Sequence, residues 1–137
     1  MERFLLAHGA GESGQRLLDD CLNQLGDIPP EANFGFLYLS DPLAESAGSL
    51  IDRLKDATGI TAWIGTVGIG IIGGATEYYD EPAMAIMLAG FNEADYQLLP
   101  NLREENASLS AGLADWCSAN DFNVGLLHAD PATANLQ

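Results

Sequence analysis

Apolar residues enter the chain as a short continuous run within Arg3–His8, which reads as a buried strand, and Gly9-Ala10-Gly11-Glu12-Ser13-Gly14 breaks it into a loop that opens a helix. From Gln15 to Leu25 the apolar positions Leu17, Leu18, Cys21, Leu22 and Leu25 recur at helical spacing, and Gly26 followed by Pro29-Pro30 stops the pattern. Phe34 to Leu39 alternates little and is rich in aromatics, as expected of a strand covered on both faces. It ends at Ser40-Asp41-Pro42, where Asp41 is the expected N-cap and Pro42 supplies the φ of a first helical turn. The helix so opened carries Ala47, Leu50, Ile51 and Leu54 on its inner stripe and closes at Thr58-Gly59.

A third strand region runs from Thr61 through Trp63-Ile64-Gly65-Thr66 into the glycine-rich Val67 to Gly74. Glycine at this density lets backbone approach a ligand or another backbone closely. Thr76 to Pro82 is polar and turn-like, and Ala83 to Phe91 reads as a fourth strand returning in hairpin fashion. Asn92 to Asn106, with Pro100, is a connection. A helix is expected over about Ala107 to Ala119, with Leu109, Leu113, Trp116 and Cys117 on one side and Gly112 as a weak point. Asn123 to His128 completes the pattern as a fifth strand, and Asp130 to Gln137 forms an irregular end. The order βαβαββαβ implies an α/β fold, a layered mixed β-sheet with flanking helices and right-handed crossovers at its start. The last strand has little after it to cover it, which suggests a longer protein or a docking partner.

The length of 137 residues fits a single domain able to bury a core without staples. Charge sharpens the picture: twenty acidic residues against five basic ones give a net charge of -15, which repels phosphate backbones and anionic lipid. Nucleic-acid and membrane-surface partners are thereby excluded. The apolar run after Met1-Glu2-Arg3 is too short for a signal peptide, and Ile60 to Ala75 falls short of a bilayer span, so a cytoplasmic location is expected. Cys21 and Cys117 both sit on helical apolar stripes and read as buried thiols rather than a disulfide. The glycosylation pattern Asn106-Ala107-Ser108 has no consequence without secretion.

Residue chemistry alone names no reaction. Gly68, Gly70 and Gly73 satisfy the letters of a dinucleotide fingerprint, yet no helix follows them and no Lys or Arg lies between Lys55 and Arg103 to meet phosphate. No cofactor is therefore expected. Without a HxxxH, CxxC or regular acidic cluster, no metal is expected either. His8 and His128 fall near strand ends, where ligands bind in open α/β sheets, although each could equally cap a strand. Ser40 and Thr66 punctuate strands outside any GxSxG elbow. Tyr78-Tyr79-Asp80-Glu81 and Glu104-Glu105 are most simply solvated loops.

Taken together, Ala7-His8-Gly9, Leu37 to Pro42 and the segment Gly65-Thr66-Val67-Gly68-Ile69-Gly70 make Phe4 to Phe91 resemble the N-terminal FIST domain, named for F-box and intracellular signal transduction proteins. Where that family shows a Gly-Cys-Ser/Thr turn ending in Gly-Glu, this chain has Thr66 at the Cys position and Ile71 at the Glu position. The resemblance implies a sensory module for a small ligand such as an amino acid, usually followed by a C-terminal FIST domain. Its pocket would lie at the C-terminal ends of the first three strands, gathering His8, Ser40, Asp41, Thr66, Gly68 and Gly70. There His8 and Asp41 would orient polar groups, Thr66 would offer a hydroxyl and the glycines backbone N–H groups to a carboxylate. Two rivals stand beside binding without turnover. One is a small hydrolase or transferase using Ser40 or Thr66 with His8 as base. The other is an interaction scaffold or homo-oligomer built through an exposed sheet edge.

Overall fold

Leu5–Ala10 forms the first strand, β1, in a computed structural model that describes residues 4–99 and 111–129. Ser13 then caps helix α1 (Gly14–Leu25), its hydroxyl accepting from the Arg16 N–H, and Leu17, Leu18, Cys21 and Leu25 turn inward. Gly26, with φ 64°, ends the helix by returning its N–H to the Leu22 carbonyl. Strand β2 (Phe34–Ser40) leads into a 3-10 segment, Asp41–Ser46, before helix α2 (Ala47–Thr58) begins. Asp41 is thus the first residue of the tight turn and not the N-cap of α2. Pro42 follows it in the first turn of that segment, whose Leu43 plugs into the core.

Strand β3 (Ala62–Gly68) is followed by a hairpin, β4 (Gly70–Gly73) and β5 (Thr76–Tyr79), and then by β6 (Ala83–Ala89). The polar Thr76–Pro82 stretch is therefore half strand. Its Thr-Glu-Tyr-Tyr run pairs back on the glycine segment across a turn in which Gly74 takes φ 57°. The main sheet has the order β1-β6-β2-β3. Strand β6 is antiparallel to both β1 and β2, and β3 is parallel to β2, so β1, β2 and β3 all run the same way. This is the mixed α/β sheet that the element order implies.

The two faces differ. Ala7, Leu37, Leu39, Met84, Ile86 and Leu88 point toward α1 and α2 and form the main core with the inner stripes of both helices. Leu18, Leu50, Leu54, Ile86 and Leu88 are fully buried there. Arg53 on α2 pairs with Asp19 on α1 and donates to Gln15, an exposed link worth at most about 1 kcal/mol. The opposite face is covered at its upper end by the hairpin, where Ile71 and Tyr78 pack on Ala83, Ala85 and Tyr38. At its lower end Phe34, Phe36, Phe91 and Phe4 form a chain of tilted and edge contacts. Asn33 ties Phe91 down by accepting from its N–H and donating to its carbonyl.

Chain contacts divide the protein into two compact units, Met1–Asn92 and Glu93–Gln137. In the second, helix α3 (Ala111–Ser118) is held by Trp116, whose indole N–H donates to the Ala94 carbonyl. Among the described residues Asn123 to His128 forms no strand, and Phe122 and Val124 are about four-fifths exposed, at 81% and 80%. Val-Gly-Leu-Leu has the composition of a strand, but an extended segment without a ladder partner gains no sheet hydrogen bonds. The expected start of the third helix at Ala107, most of the 92–106 connection beyond Leu99, Asn106-Ala107-Ser108 and the 130–137 end lie outside the described residues. Among the described residues no helix is long and apolar enough to cross a membrane.

Candidate functional site

Because β1, β2 and β3 share one direction, their C-terminal ends reach a common rim, with Ala10, Ser40 and Gly68 close to one level and the start of β6 among them. That is the edge where open α/β sheets place ligands. The six expected site residues do not form one ring on it. They divide into a β2–β3 group at the rim and a His8 group beneath the hairpin.

Ser40 is completely buried. Its hydroxyl donates to the Glu81 carbonyl at 2.7 Å and accepts from the Ala83 N–H at 2.7 Å, closing the top of the β2–β6 ladder. With its proton and an acceptor site engaged, Ser40 holds the rim in shape. Asp41, next along the chain, is exposed at the same end. Thr66 is exposed too, its hydroxyl donating to the adjacent Val67 carbonyl at 3.2 Å. Gly68 pairs with Ser40 at the end of the β2–β3 ladder.

His8 lies elsewhere. Its row runs His8, Ala85, Tyr38, Thr66 across the four strands, so His8 and Thr66 stand on opposite edge strands, about 14 Å apart at ordinary strand spacing. Strand β4 bridges the interval, lying against β2, β6 and β1 in turn. At its far end Gly73 sits directly on the imidazole, where a Cβ would come within 2.4 Å of His8 Cβ and Cγ. Gly70, at the near end, has Tyr78 backbone and the Tyr79 ring at about 3 Å from where its Cβ would be, at 2.9 and 3.0 Å. Gly73 thus serves close packing of strand on sheet, and Gly70 close packing within the hairpin. His8 Nδ1 meets the Tyr78 hydroxyl at 2.7 Å, and the two rings are 5.7 Å apart. Strand β6 separates His8 from Ser40, so neither Ser40 nor Thr66 has this imidazole beside it as a base.

A feature passed over in the sequence is a shallow hollow of about 470 Å³ where β1 gives way to α1, lined by Gly11, Glu12, Ser13, Arg16, Leu17 and Asp20. Its loop is anchored by the Gly11 N–H donating to the Pro82 carbonyl at 2.9 Å. The signal was present: a glycine-rich turn after a strand, opening a helix, with Arg16 one turn in. Among the described residues no group of three or more His, Cys, Asp or Glu could hold a metal ion. Cys21, on the buried side of α1, is a free thiol whose pKa is pushed from 9.0 up to about 11, first by burial and then by the charge of Asp20. Cys117 is free and half-buried.

Residues 33–137, more than half of the chain, match the family model of the FIST N domain. The matched region takes in Ser40, Asp41, Thr66, Gly68 and Gly70 but begins after β1 and α1, leaving His8 and the hollow outside it. No curated protein and no solved structure matches the chain.

Proposed function

Because the chain belongs to the FIST N domain family, whose members are generally associated with sensing in signal transduction, we propose that it is a sensory domain binding a small ligand, an amino acid or small organic acid, at the rim where β1, β2 and β3 end. The observation that carries this reading is the common end of three parallel strands, an arrangement that supports ligand sites in open α/β sheets. The hollow at the β1 end of that rim is lined by Arg16 together with Glu12 and Asp20. Arg16 and the first-turn amides of α1 offer positive charge to a carboxylate. Asp41 and Thr66 offer an acceptor and a hydroxyl at the β2–β3 end, with Ser40 and Gly68 shaping that end. His8 and Gly70 act on the rim through the hairpin they anchor.

Binding without turnover is the output that this chemistry favours. The engaged Ser40 hydroxyl and its distance from His8 leave the hydrolase reading without a nucleophile and base pair. In the cell the domain would work in the cytoplasm, passing its state to a C-terminal FIST domain or another signalling partner. Calorimetric and thermal-shift screening with amino acids and small mono- and dicarboxylic acids tests the proposal. At least one should bind saturably, and Arg16→Ala should weaken that binding roughly tenfold, as expected for loss of one charge-assisted contact. A flat response from protein shown to be folded by circular dichroism would overturn it.

A further inference from the structure

The β4–β5 hairpin pairs with no strand of the main sheet. Ile71 and Tyr78 pack on Ala83, Ala85 and Tyr38, Gly73 is seated on the His8 ring, and the Tyr78 hydroxyl meets His8 Nδ1. The hairpin's outer face, with Ile72 and Tyr79, is two-thirds exposed, at 68% and 66%. Both ends of the hairpin have backbone suited to bending. Gly68-Ile69-Gly70 leads in, with glycine on either side of a single residue, and Asp80 leads out at φ 57°, the one positive φ outside glycine among the described residues. The strip beneath consists of the small side chains of Ala83 and Ala85 beside the Tyr38 ring.

We infer that the hairpin is a hinged flap, latched shut by the His8–Tyr78 hydrogen bond, which lifts as a unit from the sheet while β1, β2, β3 and β6 stay folded. Opening bares the Ala83–Ala85–Tyr38 strip, giving the domain two states. Local opening of this kind draws on weakly anchored elements of a fold, and β4 and β5 together bury Ile71 and Gly73, against five residues in β2 and six in β6. The Gly73 backbone seated on the imidazole makes the latch directional, because the ring cannot leave its place without the strand moving first.

Amide hydrogen exchange by NMR, on ligand-free protein, tests the flap apart from any ligand. Amides paired within Gly70–Gly73 and Thr76–Tyr79 should exchange at least tenfold faster than those of β2 and β6. Tyr78→Phe, which removes the latch and keeps the ring, should speed hairpin exchange a further fivefold or so, the factor that one net hydrogen bond supplies, with β2 and β6 unchanged. His8→Phe, which keeps a ring under Gly73, should do the same. Hairpin amides as slow as those of β2 and β6 in the wild-type protein, or variants that leave the hairpin unchanged or accelerate all strands alike, would overturn the inference.

Discussion

His8 and Thr66 occupy one transverse row of the main sheet at its two opposite edges, with Ala85 and Tyr38 between them and β4 lying across the row. A single small ligand cannot touch both side chains. The row explains instead the glycine at position 73: a strand crossing a sheet at close range must do without a side chain where it meets a bulky neighbour, here the His8 ring.

Gly73→Ala should therefore be costly. Its new methyl would collide with the His8 ring at a site with no slack, and overpacking of that kind costs about 1–3 kcal/mol. Gly48→Ala, in α2 with nothing within 4 Å of its Cβ, should instead raise stability by up to about 1 kcal/mol. Urea denaturation of the two variants reads the contrast.

Ser40→Ala should destabilise by about 1–3 kcal/mol, because it leaves the Ala83 N–H and the Glu81 carbonyl without the hydroxyl that serves both. The same denaturation curves measure it. If Ser40 were instead a nucleophile with only a functional role, the variant would keep wild-type stability.

Cys21 and Cys117 should separate in thiol labelling. The first is buried and its pKa raised, so near neutral pH it should stay unlabelled until the protein unfolds, whereas the half-buried Cys117 reacts in the native state. The raised pKa also fixes a sign. Folding favours the neutral thiol, so this contribution to stability is complete below the ordinary pKa of 9.0 and is lost as pH climbs through about 11. Stability measured across that window should fall more steeply in the wild-type protein than in Cys21→Ala.

Much of this arrangement is legible from residue order. Leu17, Leu18, Cys21 and Leu25 mark the inner face of α1, Gly26 and Gly59 mark the helix ends, and the unbroken Ala83–Ala89 run marks a strand buried on both faces. The common rim follows once two crossovers are read as right-handed. Strand order does not: nothing local announces that β6 inserts between β1 and β2, and that insertion is what parts His8 from Ser40 and Thr66. Strand β5 was hidden by its acidic and turn-forming neighbours, since Glu77 and Asp80 flank the two tyrosines that pack or pair. Asn123 to His128 is the reverse case, an apolar composition that reads as a strand where the described residues form none.

The rim itself is tested most directly by an amide NMR titration with whichever amino acid or organic acid the screen selects. Saturable shifts at the rim, either within Gly11–Arg16 or at Asp41, Thr66 and Gly68, with the Phe34 and Leu88 end of the sheet still, are the expected result. Saturable shifts centred on that opposite end, or shifts that never saturate with any ligand, would contradict a binding site where the three strands terminate.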